Sequence, residues 1–277
     1  LKMPSRLESV ISMNYMYLNK FFSKKNLKDF IFNNNFNPEL FKNELSKNYN
    51  ILEKEYRNEF FFKSTLFNKY VLGKYSLSTT AALSEIVIES SKADLAIINH
   101  QKGTVYEIKT DLDNLDRLKY QLENYYNVFS EVYVVTSEKN YYPVYRYIKE
   151  FKSSVGIIVL TKKVNLSLKK HATKDCSNLN HESLFKLLRK KEYEELLISK
   201  FGHLPQVKPV HYFKNCLELF KNIDVEEAQK LVFIKLRKRM DISDKEKFMK
   251  LPIPIRWIVY RSNFTDRELN EIYARLK

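Results

Sequence analysis

Between Ala81 and Thr136 the chain carries four short runs rich in β-branched residues, and this block limits its possible folds more than any other feature. The runs are Glu85 to Ile88, Ala93 to Ile98, Thr104 to Lys109 and Glu131 to Thr136, and their length and composition read as strands. The stretch between the last two has a different period. Leu112, Leu115, Leu118, Leu122, Tyr125 and Phe129 step by three or four residues, as on a helix, with Asp111 or Asp113 placed as its N-cap. A further helix around Val144 to Phe151 leads to the apolar run Val155 to Thr161. Strand, helix, strand implies a parallel crossover, so an α/β fold is expected.

The flanks are helical in texture. From Arg6 to Tyr70 apolar positions, many of them Phe and Tyr, recur at helical spacing, broken by the Asn-rich turn before Pro38. The polar stretch Lys169 to His181 reads as a connector. Beyond it, Asp224 with Glu227 and Thr265 with Glu268 match capping boxes at helix starts. Three segments are expected: a helical extension over 1–54, a core over 55–162, and a basic, mainly helical region over 163–277.

Composition removes several classes. Only 4 of 277 residues are glycine, and neither GxGxxG nor GxxxxGK[ST] occurs, which argues against nucleotide-cradling loops. Cys176 and Cys216 are too far apart for a CxxC pair, so no zinc site or disulfide framework is indicated. Leu1 to Lys25 lacks an apolar signal core, and no apolar run approaches the roughly 18 residues of a membrane span. A cytoplasmic protein with no membrane partner is expected. The formal net charge of +15 suits a polyanionic partner such as nucleic acid, and the region after Lys162 is the more basic part. Lys235, Arg237, Lys238 and Arg239 close a predicted helix there, where they suit either phosphates or the helix dipole.

Chemistry is expected in the hairpin. Glu107 and Lys109 are two apart, so their side chains leave one face of the strand. With a four-residue loop, His100 to Gly103, whose glycine supplies any positive φ, Asn99 falls opposite Thr104, Ala96 opposite Glu107 and Asp94 opposite Lys109. Asp94, Glu107 and Lys109 then converge, and a one-residue slip would part them. Two carboxylates at close range call for a cation, and hard oxygen ligands suit Mg²⁺ or Mn²⁺. Such an ion with a lysine beside a bound water suits phosphodiester hydrolysis.

Lys92-Ala93-Asp94, twelve residues, then Glu107-Ile108-Lys109 resembles the PD-(D/E)XK nuclease superfamily, with Ala93 in place of the usual proline. Gln121 and Tyr125 resemble the QxxxY motif of its RecB-like branch. Arg57 through Thr136 is similar to a family of bacterial and phage proteins of this kind. The resemblance implies an αβββαβ restriction-endonuclease-like core with a mixed sheet. It implies Asp94, Glu107 and the main-chain carbonyl of Ile108 as metal ligands, Lys109 at the attacking water, and a further acid, either Glu59 in the helix before the first strand or Glu85, which antiparallel pairing would bring near Ala96. Gln121, Tyr125 and Arg117 would position the substrate backbone, more readily DNA than RNA. The alternative is a non-catalytic nucleic-acid-binding or interaction subunit on the same scaffold, in a repair, transposition or phage-defence complex, with protein partners docking on the helical flanks.

Overall fold

The computed structural model describes residues 15–100, 102–240 and 242–276. Residues 6–14 of the expected helical lead-in, and Gln101 of the expected loop, lie outside them. In chain order the elements begin with a helical stretch over 15–21, then α1 (Lys24–Ile31), α2 (Pro38–Lys54), α3 (Glu59–Leu66) and a π-helical turn at Phe67–Leu72. The sheet region follows: β1 (Thr80–Ile88), β2 (Ser91–Asn99), β3 (Lys102–Lys109), α4 (Leu118–Tyr126), β4 (Glu131–Ser137), α5 (Tyr141–Phe151), β5 (Gly156–Leu160) and β6 (Leu166–Lys170). Helices complete the chain: α6 (His181–Lys186), α7 (Lys190–Phe201), α8 (Pro209–Phe220), α9 (Val225–Arg237), α10 (Lys245–Lys250), α11 (Ile253–Arg261) and α12 (Asp266–Arg275).

The chain divides into two compact units, 1–70 with 242–277, and 71–241. These cut across the three consecutive segments expected from sequence, because the last helices return to the amino-terminal ones. Arg275 donates through Nη1 to the carbonyls of Ile31 at 2.7 Å and Asn33 at 3.0 Å, Lys28 pairs with Glu268, and the rings of Phe67, Trp257 and Tyr260 cluster. Asparagine starts two of the early helices of this unit, α2 and α3. Asn37 Oδ1 accepts from the Glu39 and Leu40 N–H groups ahead of Pro38 at the first turn, and Asn58 Oδ1 accepts from Phe61 N, each satisfying donors that have no partner within the helix.

The second unit is built on a six-stranded sheet in the order β1 to β6. β1, β2 and β3 form an antiparallel meander, β3, β4 and β5 are parallel, and β6 returns antiparallel to β5. The two parallel steps carry α4 and α5 as their crossovers, as expected. One face of the sheet, including Ala96, Ile98, Val105, Val132, Val134, Ile157 and Val159, shares a single core with α4 to α9. Two details differ from expectation. β6 lies within the predicted connector and just before it, its alternation reduced to two leucines among lysines. α4 starts at Leu118 instead of at an aspartate cap, since Asp113 Oδ2 accepts from both the N–H (2.8 Å) and the hydroxyl (2.7 Å) of Thr110. That local turn competes with the helix and leaves Leu112 exposed.

The β2–β3 register also differs. Asn99 pairs with Lys102 and Ala96 with Val105, two residues away from the expected pairing, and Gly103 is a strand residue. His100 carries the positive φ of the turn, at 51°. Gly103 serves packing instead: a Cβ there would lie 2.8 Å from the rings of Phe129 and Phe233, which stack on each other at 5.0 Å.

Candidate active site at the end of β3

A shift of two preserves the side of every residue, so the observed register still gathers the expected triad. It does so differently. The β2–β3 ladder ends at the pair Leu95 and Tyr106, while β3 stays paired with β4 through Lys109 and Thr136. Over its last residues β3 therefore has no ladder partner on its β2 side. Asp94, the next residue of β2, replaces the lost ladder bond with its side chain, Oδ2 accepting from the Ile108 N–H at 2.7 Å. The N–H and C=O of one strand residue leave the same edge, so the Ile108 carbonyl also points to the Asp94 side.

Glu107 is 1% exposed and Lys109 8%. Their side chains form an ion pair, Lys109 Nζ to Glu107 Oε1 at 2.9 Å. From α4, Gln121 Oε1 accepts from Lys109 Nζ at 2.9 Å, and the Tyr125 hydroxyl lies 2.7 Å from Glu107 Oε2 and 3.0 Å from the Lys92 carbonyl, with both as acceptors. Gln121 and Tyr125 are one helical turn apart, which puts both over the same strand. Tyr125 is fully buried. Burial first, and the negative charge of Glu107 next, push its phenol far above the ordinary value, so it stays protonated as a donor. Thr136 supports the arrangement from β4, its hydroxyl donating to the Lys109 carbonyl at 2.8 Å. That contact is invisible until the parallel register of β3 and β4 is known.

Burying two charges costs several kcal/mol per ion before pairing and hydrogen bonds offset it. The pair meets this with three polar contacts drawn from β3 and α4. Lys109 has two acceptors among the described residues, and an ammonium has three protons.

The other expected site residues are placed as follows. Gln121 and Tyr125 turn to Lys109 and Glu107. Arg117 is exposed in the turn before α4, as is Asn114. The β1–β2 register sets Leu83 opposite Ala96, so Glu85 stands across from Asp94 and not at Ala96. Glu85 has a φ of 57° within its strand, is exposed, and pairs with Lys92 at 3.0 Å. Glu59 lies in the helical unit, in the first turn of α3, paired with Lys63. Among the described residues no group of three or more His, Cys, Asp or Glu side chains stands ready to hold a metal ion. The basic cluster at the end of α9 is largely consumed within the fold: Lys235 pairs with Glu195, Arg239 with Glu192, and Arg237 donates toward the carbonyls of Ser78 and Thr79.

Fold and site together define an α/β protein with a buried acid–lysine pair where two antiparallel strands part. The chain belongs to the bacteriophage P4 protein cII family, whose model matches residues 52–256, a span that contains every residue of this site. No match was found among curated proteins or among solved structures. No helix of the described residues is long and apolar enough to cross a membrane.

Proposed function

We propose that this protein is a metal-dependent phosphodiesterase acting on nucleic acid, DNA before RNA, on a PD-(D/E)XK-like core. The buried Glu107–Lys109 pair beside the Asp94 carboxylate carries the reading. Local helix or strand chemistry does not require such a pair, and a hydrophobic pair of similar volume would serve stability as well or better. The donor set fits a hard divalent cation such as Mg²⁺ or Mn²⁺: the Asp94 and Glu107 carboxylates and the Ile108 carbonyl are all oxygens, directed to one edge of β3 or held beside it. Such an ion, when bound, polarises a phosphoryl oxygen and lowers the pKa of a water.

The chain's own groups have distinct tasks in this reading. Lys109 offers its third proton to a water or to a phosphoryl oxygen gaining charge. Gln121 fixes the direction of that ammonium, and Tyr125 holds the Glu107 carboxylate in place. These two are positioning residues. The test is cleavage of linear, circular and single-stranded DNA and of RNA with Mg²⁺, Mn²⁺ or EDTA. Metal-dependent turnover by the wild type that is lost in Asp94→Ala and Lys109→Ala is the expected result. Native-rate cleavage by Lys109→Ala would overturn the assignment of that residue.

One observation favours a second reading. Both oxygens of Glu107 already have partners within the chain, as suits a scaffold that binds nucleic acid without cutting it. Salt-sensitive binding with no turnover under any metal would select it.

A further inference from the structure

Several exposed lysines of this protein are engaged with acids, as in the pairs Lys174–Glu226, Lys186–Glu182 and Lys200–Glu227. The outer face of α5 departs from this. Val144 and Ile148 anchor its inner face. Opposite them Tyr142, Tyr145, Arg146 and Lys149 follow at spacings of three, four and seven, which puts them in one stripe about 10 Å long. Tyr142 is 69% exposed and Tyr145 36%, and Arg146 and Lys149 are exposed. Neither cation has an ion-pair partner among the described residues, and Glu150 at the margin is the one acid of the helix. Half-buried Tyr141 backs both rings, with its centroid 5.1 Å from that of Tyr142 and 5.9 Å from that of Tyr145.

The stripe starts beside the candidate site. Asn140, the residue before α5, donates through Nδ2 to the carbonyl of Thr110 at 2.6 Å, and Thr110 directly follows Lys109. Exposed rings offer a flat apolar surface to any unstacked base, while neighbouring cations attract phosphates. In a duplex the bases are already stacked and those ring faces have nothing to cover them. We infer that the outer face of α5 is a landing surface for an unpaired nucleic-acid strand, with bases on Tyr142 and Tyr145 and phosphates at Arg146 and Lys149. The inference rests on the phosphodiesterase reading only for what the strand is brought to.

Fluorescence anisotropy on the full chain in EDTA tests it, with labelled oligothymidylate, a matched duplex and a matched abasic strand. Tighter binding of oligothymidylate than of duplex or abasic strand is expected. Tyr142→Ala with Tyr145→Ala should weaken oligothymidylate binding about tenfold or more and leave the abasic strand unchanged, while the two Tyr→Phe changes keep wild-type affinity. Arg146→Gln with Lys149→Gln should weaken binding of both single strands and flatten the log–log salt slope by roughly 0.7 per phosphate lost. All four side chains point outward, and unchanged circular dichroism and melting would confirm intact folding. The inference falls if wild type fails to bind oligothymidylate, if the tyrosine variant binds it as wild type does, or if the variant loses a protein partner and keeps the nucleic acid. Tyrosine-dependent binding without cleavage in Mg²⁺ or Mn²⁺ retires the enzyme and keeps the landing surface. Cleavage indifferent to the tyrosines does the reverse.

Discussion

Buried polar groups differ in reach between the two units, although in the helical unit Asn58 Nδ2 does donate to Asn19 Oδ1, 39 residues away. In the helical unit Asn48 donates to the Glu44 carbonyl and Thr65 to that of Phe61, each four residues back, and buried Lys63 pairs with Glu59 in the preceding turn. These contacts are what a helix supplies to its own side chains. In the sheet unit Asp94 reaches Ile108, Lys109 reaches Gln121, Tyr125 reaches Glu107, and Asn124 reaches Ser91 at 2.8 Å. Each of these joins two elements, and together they need β2, β3 and α4 in place. Local contacts cost little and say little about purpose. A buried ion pair held by side chains from a second element costs more, and its place at the end of β3 marks where the protein's chemistry is to be sought.

The sharpest test of that contrast is Glu107→Ala. It strands a buried ammonium, so a loss of about 3–5 kcal/mol is expected, read as the denaturation midpoint of the sheet unit. Glu246→Ala removes the acid of an exposed pair in the helical unit and should leave the midpoint nearly unchanged. Equal costs would erase the distinction. Combining Glu107→Leu with Lys109→Met should recover most of the Glu107→Ala loss while abolishing any turnover. Tyr125→Phe comes next, at about 1–3 kcal/mol, because it leaves a buried charged acceptor short of a donor, and it should depress metal-dependent cleavage without abolishing it. Asn58→Ala, a lost cap in the helical unit, should cost about 1 kcal/mol and leave cleavage untouched.

The smallest effect is in acid. Lys28 first, and the Thr265 N–H next, hold the Glu268 carboxyl at about 2 against an ordinary 4.5. A depressed carboxylate contributes stability that is complete above its unfolded pKa and fades as pH falls toward the folded one. The helical unit should therefore weaken between about pH 4.5 and 2, and Glu268→Gln should flatten that limb of a pH titration followed by circular dichroism.

Much of this was legible in the residues. The strands β1 to β5 and both crossovers follow from β-branched runs and helical spacing. Asp94, Glu107 and Lys109 fall on one side because two-residue parity survives a wrong loop length. The loop itself was misread, since Gly103 looked like a turn residue when its missing side chain makes room for Phe129 and Phe233. Leu112 and Leu115 continued a helical period that the Asp113 turn interrupts, and nothing in the pattern of Gln121 and Tyr125 says whether they face a ligand or the interior. That depends on how α4 lies on the sheet, which is a tertiary fact.

Residues 71–241 form their unit between two halves of the other, and this bears on biosynthesis. The amino-terminal helices emerge first, yet their partners α10 to α12 follow only after about 170 further residues, roughly 10–30 s at ordinary elongation rates. Until then surfaces such as Phe67 lack the aromatic neighbours that bury them, whereas the sheet unit is complete as soon as its own stretch has been made. The nested unit can thus reach its native state on the ribosome while the enclosing one waits for α10 to α12, so the vulnerable interval in this protein's life belongs to the helical unit.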